Sequence, residues 1–137
     1  MPIVKDKLVV DANILFAMII KNSKTSDIIL SDNFELITPA FVHVEFEKYK
    51  SLLLDKTSRN QIDIDDLLDL IFRKVKTVVQ EDYEEFMPKA RKLTPDPKDA
   101  DYFAVALKEK CTIWSNDKKL KTQNVVNIIS TSELLEK

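Results

Sequence analysis

The chain has 137 residues, 45% of them hydrophobic, which is the length and apolar content of one domain with a single core. Charged residues make up 32%, and no apolar run approaches the roughly 18–20 residues that cross a bilayer. The 21 basic and 23 acidic residues leave a net charge of −2, so no global field draws in nucleic acid. A phosphate-bearing partner has to meet a local basic rim or a bound metal.

The composition excludes more. There is no glycine, so neither a G-x-G-x-x-G dinucleotide fingerprint nor a P-loop can be built, since both press glycine backbones against phosphate. Positive-φ positions fall to Asn or Asp, with Asn22, Asn33, Asn60, Asn116 and Asn124 as candidates. A lone Cys111 makes no internal disulfide, and with a single histidine, His43, zinc-finger and Cys-His nucleophile sites lack their parts. The amino-terminal residues, Met1 to Lys7, lack the order of a secretory signal, and a cytoplasmic protein is expected.

In chain order, Lys7–Val10 reads as a short strand buried on both faces, the pattern of a parallel sheet. Ile14, Leu15, Met18 and Ile19 recur at helical spacing, and a second short helix is expected over Ser26–Leu30. Phe34–Ile37 resembles a strand. Thr38-Pro39 then reads as an N-cap with proline at the first helical position. The helix from there to about Leu54 places Phe41, Val42, Tyr49, Leu52 and Leu53 on one face. Another helix spans Ile62 to about Phe72, with Ile64, Leu67, Leu68 and Ile71 inward. Thr77–Val79 predicts a strand, Tyr83–Leu93 a helix, and Pro95 and Pro97 a rigid connection before a helix starting at Lys98 or Asp99. Phe103, Ala106 and Leu107 face inward from that helix. Cys111–Trp114 and Val125–Ile129 complete about five strands, and Ser130 with Glu133 has capping-box spacing before a last helix. Alternating strands and helices predict one domain, a three-layer α/β/α sandwich around a mainly parallel sheet.

Four acids interrupt this apolar framework. Asp11 and Asp117 follow strands directly, at the carboxyl edge where open parallel sheets bind ligands. Glu45 lies four residues from both Phe41 and Tyr49 on an apolar stripe, and Asp99 opens a helix. Charged carboxylates there are costly unless paired or bound to a cation. Converging carboxylates suit Mg²⁺ or Mn²⁺, which prefer oxygen ligands and can activate water at a phosphodiester. Each acid also has a plain structural explanation. Asp11 and Asp117 can cap helices, Asp99 can complement a helix dipole, and Glu45 can pair with a Lys or Arg. Asp96 and Asp101 are weaker candidates, the first in a turn and the second on a face that can meet solvent. Asn13 and Ser115 flank the acids and suit orienting them or a metal-bound water, or simple turn chemistry. Lys118, Lys119 and Lys121 form a basic group that suits a phosphate backbone or a solvated face.

Taken in order, Leu8-Val9-Val10-Asp11-Ala12-Asn13, Thr38-Pro39 with Glu45, Asp96-Pro97-Lys98-Asp99-Ala100 with Phe103–Leu107, and Trp114–Leu120 resemble a PIN-domain protein. The resemblance implies a Mg²⁺- or Mn²⁺-dependent ribonuclease. Asp11, Glu45, Asp99 and Asp117 fall at the family's acidic positions, and Asn13 and Ser115 at those of its polar companions. Asp96, Asp99 and Asp101 cluster at the third acidic position, and Asp99 is chosen because Ala100, Ala104 and Ala106 then fall where small residues follow. Many compact members resemble VapC-type toxins, often dimeric and silenced by an antitoxin; others process RNA or are inactive scaffolds. Family members often carry glycine before the strand preceding the fourth acid. Lys108-Glu109-Lys110-Cys111 has none, so a different turn is expected there.

Overall fold

The computed structural model describes residues 5–20, 23–57 and 60–136. One parallel five-stranded sheet runs in the order β3-β2-β1-β4-β5, with β1 Asp6–Val10, β2 Phe34–Pro39, β3 Val75–Val78, β4 Thr112–Trp114 and β5 Ile128–Ile129. β1 is central because Leu8, Val9 and Val10 offer apolar side chains to both faces, and all three are buried. Parallel neighbours need crossovers. Helices α1 (Ala12–Ile19) and α2 (Ser23–Leu30) lie between β1 and β2, and α3 (Val42–Lys56) and α4 (Gln61–Lys74) between β2 and β3. The chain returns to β4 through α5 (Gln80–Tyr83), α6 (Met87–Leu93) and α7 (Ala100–Glu109), and α8 (Thr131–Leu135) follows β5. Helices α1 to α4 pack together on one face, and α5 to α7 on the other, with α7 against β1, β2 and β4. This is the expected α/β/α sandwich.

Several local expectations need correcting. Thr38 and Pro39 do not start a helix; they finish β2, opposite Thr77 and Val78. The Thr38 hydroxyl donates to the Val10 carbonyl (2.9 Å) instead of capping, and α3 begins at Val42. That offset moves the buried stripe to Val42, Phe46 and Leu53, while Leu52 is exposed. The expected Tyr83–Leu93 helix is broken by a 3-10 turn at Glu84–Phe86. Pro88 causes this: it has no N–H and its ring clashes one turn back, so it is accommodated only in the first turn of α6. β3 starts two residues before the predicted Thr77, and β5 shrinks to Ile128–Ile129. The Gln123 amide bonds Leu120 and Val126 carbonyls and the Val125 and Val126 amides, which holds the segment before β5 as a turn.

Among the described residues, positive φ occurs at Asp32 (59°) and Lys110 (53°), not at an asparagine; Asn22 lies outside them. Asn60 instead caps α4, accepting from the Asp63 amide, and Asn116 accepts from the Thr131 amide. Lys110 ends α7 in the left-handed conformation that glycine would favour. The Ser130–Glu133 capping box is present in full.

Helix α4 offers an internal comparison. Ile71 is fully buried and Ile62 is 70% exposed. Ile71→Ala is expected to lower stability by about 2–5 kcal/mol and Ile62→Ala by no more than about 0.5 kcal/mol, read from urea unfolding midpoints. Equal losses would show that α4 is packed differently.

Candidate metal centre

The strand order reverses direction at β1, since β2 and β3 lie on one side of it and β4 and β5 on the other. Such a switch point opens a crevice beyond the strand ends. Asp11 leaves β1 there, its amide still donating to the Trp114 carbonyl at 3.1 Å, and Ser115 leaves β4 beside it. The Ser115 hydroxyl donates to Asp11 Oδ2 (2.8 Å) and accepts from the Asp117 amide (3.1 Å). One buried serine, 104 positions from Asp11, thus ties the first acid to the last. The bond to Asp11 is long-range, and the one from the Asp117 amide is local turn chemistry, so Ser115 makes both kinds of contact.

Each predicted acid can now be placed. Asp11 occupies the N-cap of α1, yet its carboxylate engages Ser115 and makes no capping bond; it is only 6% exposed. Glu45 sits in the first turn of α3, half-buried, nearer the helix start than expected. Instead of a Lys or Arg, the Tyr102 hydroxyl donates to its Oε1. Asp99 closes a 3-10 turn, Pro97–Asp99, and stands at the N-cap of α7 without a capping bond. Asp117 does cap: Oδ1 accepts from the Lys119 amide at 3.0 Å. Asp96 caps its own turn through the Lys98 amide, and Asp101 accepts from the Tyr83 hydroxyl at 2.6 Å instead of simply facing solvent. Among the described residues, none of these six acids forms an ion pair with a Lys or Arg.

A cleft of about 540 Å³ gathers Glu45, Asp99, Asp117, Asp96 and Asn13, with Phe16, Tyr49 and Lys56 along its other wall. Asp11 does not line the cleft, but its charge acts on Asp99 and Glu45. A larger groove of about 780 Å³, at the opposite ends of β2 and β3, contains none of the predicted acids; its carboxylates are Asp32 and Glu35. His43 is exposed and stacks on Phe72 at 4.6 Å, with no part in the cleft. Of the basic group, Lys121 is paired with Glu133 (2.5 Å), while Lys118 and Lys119 are exposed.

The electrostatics report crowding of like charge. Burial, then the charges of Asp11, Asp96, Asp117 and Glu45, push Asp99 up to about 7. Burial also raises Asp11, with Asp117 adding to it and the Ser115 hydroxyl opposing. Glu45 is raised by burial and by Asp11 and Asp101, with Tyr102 opposing. The Tyr102 phenol, raised first by burial and then by Glu45, stays a proton donor. The donor set is all oxygen, and among the described residues its carboxylates form no ion pair although Lys56 and Lys98 also line the cleft, which fits a hard divalent ion. Among the described residues, no three Asp, Glu, His or Cys side chains are already drawn together as a ready ligand set.

Comparison with known proteins settles the family. A PIN domain family model matches residues 9–135. The chain belongs to the PIN-domain family. PIN domains are generally nucleases that use divalent metal ions. The crystal structure of PAE2754 from Pyrobaculum aerophilum superposes with a TM-score of 0.67 at 18% identity, over 96% of this chain and 88% of that one, a likeness of fold. No curated protein matches the sequence at a significant level. Among the described residues of this PIN domain, no helix is long and apolar enough to cross a membrane. Tyr102, bonded to Glu45, is the side chain of the site that reading the sequence missed. Its signal was a phenol followed directly by the apolar and small residues Phe103, Ala104, Val105 and Ala106, since a buried hydroxyl needs a partner. Tyr83, bonded to Asp101, does not line the cleft.

The raised Asp99 has a thermodynamic signature. Between its ordinary 3.8 and about 7, the folded protein holds a proton that the unfolded chain has released. Metal-free stability therefore falls as pH rises through that window and levels off above it. Asp99→Asn cannot ionise, so at about pH 8 its metal-free unfolding temperature is expected to exceed the parent's, the gap closing toward about pH 4. Calorimetry across pH checks this; a less stable variant at the alkaline end would contradict it.

Proposed function

We propose that this PIN domain is a Mg²⁺- or Mn²⁺-dependent endoribonuclease that hydrolyses RNA phosphodiester bonds. The observation that carries the reading is the single acidic cleft at the sheet's switch point, with no ammonium or guanidinium paired to its carboxylates among the described residues. Asp11, Glu45, Asp99 and Asp117 would hold the metal, which when bound supplies a Lewis acid for the phosphodiester and lowers the pKa of a bound water. Ser115 orients Asp11 and fixes the Asp117 backbone, so the two strand ends keep one spacing. Asp99 and Glu45 bring anionic oxygens from two helices, and Asn13 adds an exposed amide at the rim. Asp96 and Asp101 support the field of the site, each with one oxygen engaged by the fold. Lys98, Lys118 and Lys119 provide exposed cations for the RNA backbone near an acidic centre.

The biological setting we propose is that of a cytoplasmic toxin of the VapC type, acting as a homodimer and restrained by an antitoxin protein. A small upstream reading frame overlapping the gene supports that setting; its absence counts against it. A catalytically idle PIN fold that binds protein or RNA is the second reading. What favours it is that no ready ligand set is gathered among the described residues.

Purified protein is expected to cleave a mixed RNA substrate with Mn²⁺, to stop when the metal is chelated, and to lose activity to background in Asp11→Asn. Cleavage by Asp11→Asn at the parental rate refutes the assignment. Failure of both proteins with every divalent metal selects the binding-module reading.

A further inference from the structure

Glu45 is the acid whose position depends least on the sheet. Asp11 and Asp117 leave strands, and Asp99 is locked behind two prolines, whereas Glu45 rides on α3 at the end of a flexible side chain. A rotamer-rich carboxylate on a cleft wall spends much of its time outside any productive geometry unless something holds it. Here Tyr102 holds it. Tyr102 is only 2% exposed, sits in the first turn of α7, and donates its hydroxyl to Glu45 Oε1 across 57 positions of sequence. The bond joins helices from opposite faces of the sheet. Oε2 of Glu45 accepts no hydrogen bond among the described residues.

A structural requirement alone would not select tyrosine there. Burying a hydroxyl costs free energy that phenylalanine avoids, and Tyr102 is flanked by buried Ala100, Phe103 and Ala104. The hydroxyl therefore has work to do at Glu45. We propose that Tyr102 is a positioning residue of the metal centre, engaging one oxygen of Glu45 so that the other is held for a divalent cation. This rests on the metal-dependent reading above. Tyr83 at the end of α5, 1% exposed and bonded to Asp101 of α7, provides the comparison: an equally buried phenol bonded to a carboxylate other than Glu45 and outside the cleft lining.

The test is Mn²⁺ binding to the intact protein, measured by calorimetry without RNA, alongside cleavage. Tyr102→Phe is expected to weaken Mn²⁺ by about 10–100-fold, the usual effect of removing a group that orients a ligand. In a Glu45→Ala background the same change is expected to add no more than about twofold, because Tyr102 acts through Glu45. Tyr83→Phe is expected to stay within about twofold of the parent. Glu45→Asp keeps the charge but withdraws it from the hydroxyl, and is expected to weaken Mn²⁺ to a similar extent as Tyr102→Phe. Parental affinity in Glu45→Asp overturns the proposal however Tyr102→Phe folds. Parental affinity in a folded Tyr102→Phe, or an equal loss in Tyr83→Phe, overturns it while leaving the metal centre standing. A parent protein that binds no Mn²⁺ overturns both.

Discussion

The hydrogen bond from Ser115 to Asp11 joins the ends of the two strands between which the sheet changes direction, and the rest of the site is arranged around that junction. β1 and β4 are buried and mutually registered, with Val10 opposite Trp114, so the residues leaving them have almost no freedom of placement. Asp11 is consequently carried into a nearly dry position by the sheet itself. The same serine receives the Asp117 amide, so the backbone of the last acid is set by the side chain that orients the first. Rigid strands make a more exact platform for charge than loops do.

Around this junction the helices add carboxylates that, among the described residues, make no ion pair with a Lys or Arg. α7 serves three purposes within its first turn: it begins at Asp99, carries Asp101, and directs Tyr102 toward α3, while Phe103 and Val105 fill the core. The cost is visible in the raised carboxylates, which the core has to offset. Active sites are commonly places where stability is sacrificed to keep like charges together. Tyr102 limits that cost at Glu45 by supplying a donor in place of a cation, which satisfies a carboxylate oxygen without neutralising it.

Much of this was legible in the residues alone. Buried strands announce themselves by apolar runs ending in an acid, and Asp11 and Asp117 are placed by strand order, so the sheet and its edge could be anticipated. Glu45 was conspicuous because a carboxylate on an apolar stripe needs a reason. Helix phase was harder. Thr38-Pro39 has the chemistry of a helix start, but pairing with β3 won, and the buried face of α3 rotated to include Phe46 and exclude Leu52. Pro88 was overlooked and breaks the helix it was thought to lie within. Tyr102 could not be matched to Glu45 in advance, because a phenol's partner is decided by tertiary packing and not by its neighbours in sequence. Lys110 shows the same limit: positive φ is expected at Asn or Asp, and Asp32 has it, while the geometry at the end of α7 imposes it on a lysine.

The missing glycine has a consequence beyond those turns. Every residue here carries a Cβ, so the denatured ensemble is narrower than that of an ordinary chain of equal length. Each position where alanine or a larger residue replaces glycine without strain favours folding by about 0.4–1 kcal/mol through that ensemble alone. Among the described residues the strained exceptions are Asp32 and Lys110. A disordered state with fewer conformations to lose is a quiet source of stability, and it helps a small protein tolerate a repulsive centre.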